Sequence, residues 1–332
     1  MTQIVSVYPN FGNKGGAQNV TLQLAHRLTN EAFPIVLTRT PSERMAQDYK
    51  GQACYKKLSL RTVLLFGIKD TLFISHDRKS TLFLMLVKRT IAPRLRVLHV
   101  AHSVYDNLGW ATILPNKIIA VSEAVRRNLT DYFHIDSNRV RVIYNGIQDC
   151  GMKHSLYDKC EIINILFAAK VYPLKQQVAF ARYAKGRIPN HIHFYFAGTG
   201  TDADALQTII KGCGNMHYLG HIDIKANIGR FNYTFLFSQR EGLPLTLIES
   251  CMYGLPMITN DLPAVTEVNT DNMTGFVYHD FESLVNGLTR LPFPDSDEYK
   301  TLSTNARKRY EALFTDERMV EAYKAVVNNC IK

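Results

Sequence analysis

The chain contains 332 residues, of which 46% are hydrophobic and 20% charged, a composition typical of a globular protein of about two domains. No stretch reaches the roughly 18 uninterrupted apolar residues of a membrane-spanning helix, and the opening MTQIVSVYP has neither the basic leader nor the cleavage site of a signal peptide. Six cysteines without metal-binding spacing predict reduced thiols in a cytoplasmic protein and argue against a disulfide framework or a zinc site.

Strand-like and helix-like segments alternate through the first half of the chain. Apolar, β-branched runs predict strands at QIVSVYP, PIVLTRT, TLFISH, RLRVLHVAH, KIIAVS and RVRVIYNG. Amphipathic helices are predicted between them at AQNVTLQLAHRLTN and SEAVRRNLTDYF, and Ser122 is the predicted N-cap of the second.

The second half repeats this alternation. Strands are predicted at INILFAAK, IHFYFAGTG, MHYLGHI, YTFLFSQ, LPMITN and GFVYHD. Repeated β-α alternation predicts parallel sheets covered by helices on both faces, so the fold class is α/β with two doubly wound domains in series. The boundary is predicted in the polar segment 147–161, which gives domains 1–147 and 148–315 and a final helix at 316–332.

The positive charge resides in the first half: residues 1–147 contain 20 Lys and Arg against 9 Asp and Glu, a balance of +11, and residues 148–332 contain 19 against 20, a balance of −1, which gives the net +10. Such asymmetry predicts that this half faces a polyanion. The basic residues adjoin apolar ones in LSLRTVLLFGIKD and TLFLMLVKRTIAPRLRVL, and nucleic-acid-binding motifs are absent. The pattern therefore favours contact with an anionic membrane surface over nucleic acid. Ordinary core helices with solvated basic ends are the alternative.

Two carboxylates occur in the segment SQREGLPLTLIES, which follows a predicted buried strand. Gly242 allows close approach of the backbone to a ligand, Pro244 suits the first turn of a helix, and the helix start provides N–H groups for a diphosphate. Glu241 precedes this helix and Glu249 lies inside it. Carboxylates on either side of an anion site are suited to accept hydrogen bonds from hydroxyl groups, which predicts a sugar nucleotide as ligand.

Two lysines, Lys170 and Lys175, follow the first predicted strand of the second half, where they can neutralise a diphosphate and stabilise it as a leaving group. In the first half, Gly15 and Gly16 follow the first strand, where their amides can face a ligand. His102 comes at the end of another strand and can orient a hydroxyl group.

Two histidines and two short motifs elsewhere in the chain are also candidates for a functional role. His99 lies within a strand and is predicted to be a hydrogen-bonded core histidine, whereas His76 can be either core or functional. Asp202 and Asp204 form a DxD sequence that better suits a helix start than a metal site. Gly198 and Gly200 lack the third glycine of a dinucleotide fingerprint, which argues against a nicotinamide enzyme.

The segment SQREGLPLTLIES resembles the E-x7-E signature of the family 4 glycosyltransferases, which are retaining enzymes of GT-B architecture. The segments GNKGGAQNVTLQLAHRL, KIIAVSEAVRRNL, RVRVIYNGI, MTGFVYHD and NARKRYEALFTDERMVEAYK also resemble the family, and they occur in its order. The resemblance implies two Rossmann-like domains facing a cleft, with the helix 316–332 packing back on the first domain.

The resemblance assigns roles to the candidate residues. Glu241 would contact hydroxyls of the donor sugar and Glu249 those of the ribose. The amides of Gly242 and Leu243 would approach the diphosphate or the sugar. His102, Glu241 and Lys175 form the predicted catalytic set. The other donor-binding residues are Gly15, Gly16 and Lys170, the last of which stands where the family usually has arginine. Gln18, which replaces a frequent glutamate, and Tyr105 are predicted to contact the acceptor, and backbone groups of 219–222 to read the base.

The function implied is retaining transfer of a hexose or N-acetylhexosamine, with GalNAc or Gal from a UDP-sugar as the preferred guess. The acceptor would be a saccharide on undecaprenyl diphosphate in O-antigen or capsule synthesis, at the cytoplasmic face of the inner membrane. Neither metal nor cofactor is expected. A sugar-nucleotide epimerase of the same fold and a non-catalytic binding protein stay open as alternatives.

Overall fold

The computed structural model describes residues 2–29, 31–107, 109, 112–151 and 161–331. It divides into two compact units, of which unit 1 comprises Met1–Gly146 with Asp316–Lys332 and unit 2 comprises Ile147–Thr315. Part of the predicted boundary segment, 152–160, lies outside the described residues.

Unit 1 is built on a seven-stranded parallel sheet in the order β3-β2-β1-β4-β5-β6-β7. The strands are β1 Gln3–Val7, β2 Ile35–Thr38, β3 Cys54–Lys57, β4 Thr71–Ser75, β5 Arg96–Ala101, β6 Ile118–Ala120 and β7 Val140–Val142. The helices are α1 Gly16–Thr29, α2 Leu60–Gly67, α3 Arg78–Thr90, α4 Glu123–Arg127 and α12 Asp316–Ile331.

The strand β3 was not among the predicted strands, and its position explains why. It lies at the edge of the sheet and reads CYKK, with two half-buried and two exposed residues. By contrast, all five residues of the interior strand β4 are buried. An interior parallel strand is recognised by its apolar run, whereas an edge strand with lysines carries little such signal.

Unit 2 is built on a six-stranded parallel sheet in the order β10-β9-β8-β11-β12-β13. The strands are β8 Ile163–Ala168, β9 Ile192–Ala197, β10 Met216–Gly220, β11 Tyr233–Leu236, β12 Met257–Asn260 and β13 Gly275–Tyr278. The helices are α5 Gln177–Ala184, α6 Ala203–Ile210, α7 Ile224–Asn227, α8 Leu245–Tyr253, α9 Pro263–Thr266, α10 Phe281–Leu288 and α11 Asp297–Leu313. The six strands predicted for this half are confirmed.

Aromatic rings fill the core of unit 2. Phe235 on β11 contacts Phe167 on β8 and Phe180 on α5, with ring centroids 4.8 Å and 4.7 Å apart. Such inclined pairs contribute roughly 0.5–1.5 kcal/mol each beyond the area they bury. The packing fixes β8 and β11 side by side, and these two strands carry the residues of the predicted donor site.

The final helix α12 is part of unit 1. Arg27 on α1 forms an ion pair with the buried Asp316 at the start of α12, with Nε and Oδ2 2.8 Å apart. Gln23, one turn earlier on α1, donates from Nε2 to the Oδ1 of the same carboxylate at 2.6 Å. These contacts fix the first turn of α12 against α1.

Two further predictions concern helices. Ser122 caps α4 as predicted, because its side chain accepts a hydrogen bond from the backbone N–H of Val125 at 3.1 Å. Within the described part of the chain, no helix combines the length and apolar character needed to cross a membrane.

Candidate functional site

The strand order of unit 2 places its candidate site at a topological switch point. From β8 the chain proceeds to β9 and β10 on one side, and β11 begins the other side. Loops that leave β8 and β11 therefore diverge at the carboxyl edge, where open α/β sheets bind ligands. Lys170 and Lys175 follow β8, and Glu241 and Gly242 follow β11, so the fold brings these predicted residues to one place.

Lys175 and Glu241 form an ion pair between Nζ and Oε1, and their side chains are only 17% and 10% exposed. The backbone reinforces this contact, because the N–H of Gln239 donates to the carbonyl of Leu174 at 2.8 Å. The sequence predicted separate ligand groups for the two side chains and did not reveal their pairing. A nearly buried pair holds both charges in fixed positions, where one can meet an anion and the other a hydroxyl.

Asn260, at the end of β12, holds the start of the Glu241 loop. Its Nδ2 donates to the carbonyl of the buried Ser238 at 2.7 Å, and its Oδ1 accepts from the Ser238 N–H at 3.3 Å. Sequence analysis missed this residue. An asparagine directly after an apolar strand was the available signal, since a buried amide must find partners.

Glu249 lies in the middle of α8, about 6 Å along the axis from the first helical residue, Leu245. Pro244 is the N-cap of this helix, one residue before the predicted first-turn position. Glu249 also lines a small cavity of about 10 Å³ together with Ile224 and Ile228. Glu249 therefore adjoins the segment 224–228, which follows closely after the residues 219–222 predicted to read the base.

The glycines Gly198 and Gly200 join the loop after β9 to the loop after β8. A Cβ on Gly198 would lie 2.0 Å from the carbonyl oxygen of Ala169, and a Cβ on Gly200 would lie 2.0 Å from that of Val171. The N–H of Val171 donates to the carbonyl of Thr199 at 3.0 Å. Close backbone packing beside Lys170 explains why glycine occupies these two positions.

Lys170 itself is exposed, with its ammonium 5.8 Å from the ring centroid of Tyr172. Its backbone carbonyl accepts a hydrogen bond at 3.1 Å from Nε2 of Gln177, a buried residue that sequence analysis missed. The lysine side chain therefore extends from a backbone that is held in place. Its contact with a diphosphate stays a prediction.

Asp202 and Asp204 lie at the start of α6, as predicted from their sequence. Asp202 is the N-cap residue and Asp204 is in the first turn. Negative charge at this end of a helix is stabilised by the helix dipole. Among the residues that the structure describes, no group of three or more His, Cys, Asp or Glu side chains is arranged to hold a metal ion.

In unit 1, the loop before α1 uses several of its predicted ligand-binding groups internally. The N–H of Gly15 donates to the Tyr49 hydroxyl at 3.1 Å. Nε2 of Gln18 donates to the carbonyls of Asn10 and Asn13, both at 3.1 Å. These two groups stabilise the loop, and Gly16 begins α1. Their contacts with donor or acceptor stay predictions.

His102 forms a pair with His76 at the carboxyl edge of β4 and β5. Nδ1 of His76 and Nε2 of His102 are 3.0 Å apart, and the rings stack at a centroid distance of 5.3 Å. His76 is buried, whereas His102 is partly exposed. Burial and the neighbouring imidazoles lower the pKa of both histidines below 6.5. Both rings are therefore neutral at pH 7, which leaves them able to accept and donate hydrogen bonds.

His99 is a hydrogen-bonded core histidine, as predicted. Its Nδ1 lies 2.8 Å from the hydroxyl of Thr81 on α3, and burial lowers its pKa to about 4. His76, which could be either a core or a functional residue from its sequence, holds the ring of His102 in place. Its position directly after β4 was the sequence signal for this role.

Tyr105 is held by two residues that sequence analysis missed. Oδ1 of Asn128 accepts from the Tyr105 N–H at 2.9 Å, and Nδ2 of Asn128 donates to the Tyr105 carbonyl at 2.8 Å. The guanidinium of Arg78 lies 4.4 Å from the centroid of the tyrosine ring. The two hydrogen bonds fix the backbone of Tyr105, and the cation–π contact with Arg78 positions its ring. The contact of Tyr105 with an acceptor stays a prediction.

Comparisons with known proteins agree with this architecture. Residues 14–149 match the family model described as Glycosyltransferase Family 4, and residues 163–292 match the model described as Glycosyl transferases group 1. The O-antigen biosynthesis glycosyltransferase WbnH of Escherichia coli is 20% identical over 94% of this chain and 96% of its own length. D-rhamnosyltransferase WbpZ of Pseudomonas aeruginosa is 28% identical over 33% of this chain and 30% of its own length.

Solved structures show the same fold. Anabaena HepE, crystallised with UDP and glucose, superposes with a TM-score of 0.82 at 14% identity, covering 99% of this chain and 100% of HepE. The lipopolysaccharide outer core galactosyltransferase WaaB, in its apo form, superposes with a TM-score of 0.76 at 18% identity, covering 100% of this chain and 99% of WaaB. The fold is thus that of a GT-B glycosyltransferase. Each half of the chain matches a glycosyltransferase family model, so the protein is a glycosyltransferase.

Proposed function

We propose that the protein transfers a hexose or N-acetylhexosamine from a UDP-sugar to a saccharide on undecaprenyl diphosphate. GalNAc and Gal are the sugars that we favour. The product would carry an α-glycosidic bond, made with retention, in an O-antigen or related surface polysaccharide. The observation that carries the proposal is the Lys175–Glu241 pair at the switch point of unit 2, with Glu249 on the adjacent helix. WbnH, an O-antigen glycosyltransferase, and HepE, crystallised with UDP, support the choice of pathway and donor.

In this proposal unit 2 binds the donor. Lys175 and Lys170 neutralise the diphosphate, and amides of Gly242 and Leu243 at the start of α8 add positive potential. Glu241 accepts hydrogen bonds from the sugar, and Glu249 accepts them from the ribose. The bond from the anomeric carbon to the diphosphate breaks as the acceptor oxygen bonds on the same face. The departing diphosphate oxygen takes the acceptor proton, and the lysines stabilise the charge that remains.

Unit 1 would supply groups for the reacting sugar and the acceptor. Nε2 of His102 is engaged with His76, so Nδ1 is the ring atom left to bond a hydroxyl. A neutral imidazole can orient that hydroxyl without placing a positive charge beside the anomeric carbon. Tyr105, fixed by Asn128 and Arg78, would contact the acceptor.

The proposal includes binding of unit 1 to an anionic membrane surface. Helices α2 and α3 pack on one core cluster, yet both expose large apolar side chains. The exposed fractions are 62% for Leu65, 86% for Ile68, 47% for Leu86 and 53% for Ile91. Basic residues adjoin these apolar ones in the sequence, namely Lys69, Lys88 and Arg89. Apolar and basic side chains together have the composition of a surface that binds a membrane interface.

Vesicle flotation tests this surface. Ile68→Gln/Ile91→Gln should bind vesicles containing phosphatidylglycerol at least about tenfold more weakly than wild type, because each buried isoleucine is worth roughly 1.5–3 kcal/mol. Phe33, which is 61% exposed between α1 and β2, provides the control variant Phe33→Gln. Equal binding by all three proteins, or binding to neutral vesicles alone, would refute the membrane proposal.

The donor site is tested by thermal unfolding with UDP, GDP, ADP and NAD. A ligand at 100 times its dissociation constant stabilises the folded state by about 2.7 kcal/mol. UDP should stabilise wild type and the control Glu282→Gln, an exposed carboxylate of the same unit, and Glu249→Gln should lose most of the effect. Stabilisation by NAD alone would contradict the assigned donor.

The reaction is tested with labelled UDP-GalNAc or UDP-Gal and a lipid extract of bacteria that make O-antigen. Transfer of label to lipid, an α-linked product by NMR and unchanged activity in EDTA are the expected results, since neither metal nor cofactor is part of the proposal. Conversion of the UDP-sugar without lipid would indicate an epimerase, and binding without turnover would indicate a non-catalytic protein.

A further inference from the structure

A cavity of about 530 Å³ lies in unit 1 at the carboxyl ends of β2 and β3, and all of its lining residues fall between 38 and 57. Ligand-binding cavities have volumes of roughly 300–1,000 Å³. None of the donor or acceptor residues predicted from the sequence lines this cavity. It therefore needs an explanation of its own.

The charge of the cavity is of one sign. Arg39, Lys50, Lys56 and Lys57 line it, and no carboxylate does. All four are exposed, and none forms an ion pair within the described part of the chain. Four unpaired cations around one cavity create a positive potential that an anion would relieve.

The carboxylates nearest in sequence have other partners. Asp48 pairs with Lys14, with Oδ1 and Nζ 3.2 Å apart. Glu43 accepts a hydrogen bond from the hydroxyl of Ser42, a lining residue, at 3.1 Å. Ser42 is thus engaged with a carboxylate outside the cavity, so an anion is expected on the side formed by the arginine and the lysines.

The floor of the cavity is rigid. The hydroxyls of Thr38 and Thr40 both donate to the carbonyl of Pro9, at 3.1 Å and 3.3 Å. The N–H of Arg39 donates to the same carbonyl at 3.0 Å. Because these hydroxyls serve the backbone, the cationic side chains are the groups available for a ligand.

Protection of the sheet edge is the competing explanation. Lysines on an edge strand discourage pairing with other chains, and Lys56 and Lys57 lie on β3 at such an edge. Arg39 follows β2, however, and Lys50 lies in the connection before β3. Edge protection accounts neither for these two cations nor for the cavity between them.

We infer that this cavity binds the phosphate or diphosphate group of a lipid. This inference rests on the proposed function, in which the donor diphosphate belongs to unit 2 and the acceptor carries its own diphosphate. The guanidinium of Arg39 can bind two phosphate oxygens at once, and the lysines add point charges. Helix α2, with exposed Leu65 and Ile68, begins three residues after Lys57, so the chain of such a lipid would have an apolar surface on the same segment.

Binding of farnesyl diphosphate, measured by calorimetry in saturating UDP, tests the inference. The first titration, of UDP alone, checks the donor site separately, so failure of the proposed function is visible before the lipid is added. Arg39→Gln/Lys56→Gln, the cavity variant, should bind farnesyl diphosphate at least about tenfold more weakly than wild type, because it loses two charge-assisted contacts with the diphosphate. Arg127→Gln/Arg141→Gln is the matched control on α4 and β7, at the opposite end of the sheet.

The same proteins are then compared on vesicles with and without phosphatidylglycerol. If the cavity variant loses binding of farnesyl diphosphate but keeps vesicle binding, and the control keeps both, the cavity is assigned to the acceptor diphosphate. Loss of vesicle binding alone assigns it to head groups of the bilayer. Equal affinities of the cavity variant and the control for both probes would overturn the inference. Because all the substituted residues are exposed, the variants should have melting temperatures close to that of the wild type.

Discussion

The two sheets share a parallel α/β design but stabilise polar groups at their carboxyl edges in different ways. In unit 2, Lys175 and Glu241 stay nearly buried by forming an ion pair. In unit 1, His76 and His102 stack against each other, and burial keeps them neutral. A buried charge requires a partner, whereas an imidazole can lose its charge instead. The first arrangement is suited to bind an anion and the second to orient a hydroxyl.

The largest expected effect comes from breaking the ion pair. Lys175→Met should lower the transfer rate by roughly 10²–10³-fold, because the charge on the leaving diphosphate loses its stabilising cation. It should also destabilise unit 2 by about 2 kcal/mol, since Glu241 is left without its partner. Adding Glu241→Gln should restore most of the stability and none of the activity. Recovery of activity in the double variant would show that the pair has only a structural role.

The backbone beneath the pair is tested by Gly198→Ala. A Cβ at this position would lie 2.0 Å from the carbonyl oxygen of Ala169, and Gly198 has a φ of +140°. We expect a loss of roughly 3 kcal/mol in unfolding free energy together with weaker UDP binding. Gly214→Ala, where a Cβ meets nothing within 4 Å, is the control. Similar melting temperatures for the two variants would contradict the packing argument.

The histidine pair is tested by a double-mutant cycle on activity. His102→Asn should reduce kcat about 100-fold, as for loss of a hydrogen-bonding group near the reaction. His76→Asn should reduce it about tenfold, because His76 only positions His102. If the two act as one unit, the double variant is no slower than His102→Asn alone. Fully additive losses would show that His76 acts independently.

The smallest effect expected is a difference in acid sensitivity between the units. His76 and His99 have folded pKa values below their unfolded value of about 6.5. Protonation therefore favours unfolding, and stability falls as the pH drops from about 6.5 toward the folded values. The slope is up to about 1.4 kcal/mol per pH unit for each histidine.

Unit 2 should respond at lower pH. A hydrogen bond from Arg307 lowers the pKa of Asp149 below 3.8, so its contribution is lost only as the pH falls through that region. Its His217 also has a lowered pKa, from partial burial, and should add a smaller slope. Hydrogen exchange between pH 7 and 5 should show unit 1 losing protection first, and His99→Gln should weaken this loss. Exposed His221→Gln is the control, and parallel losses in both units would refute the prediction.

Much of the fold was predictable because buried parallel strands are apolar runs. The twelve strands predicted from such runs are present, and among the strands of the described residues only β3, whose sequence is CYKK, was not predicted. The positions of Lys175, Glu241, Glu249 and His102 relative to their strands and helices were also predictable, since strand ends and helix starts can be read locally.

Partners across the sheet were not predictable in the same way. The contacts of Glu241 with Lys175 and of His102 with His76 join residues 66 and 26 positions apart. Asn260 and Asn128 act on backbone groups of distant loops, and any polar side chain at those positions would have looked similar in sequence. Their roles depend on strand order, which periodicity does not determine.

The position of α12 has a consequence for the order of folding during synthesis. Gln23 on α1 donates to the carbonyl of Gly146 at 2.9 Å as well as to Asp316, so it joins the points where the chain leaves and re-enters unit 1. Unit 2 is complete once residue 315 has left the ribosome, whereas unit 1 still lacks α12. Because domains tend to fold as units during translation, unit 2 should finish folding before unit 1, although most of unit 1 is synthesised earlier. Unit 1 is completed only when residues 316–331 cover α1.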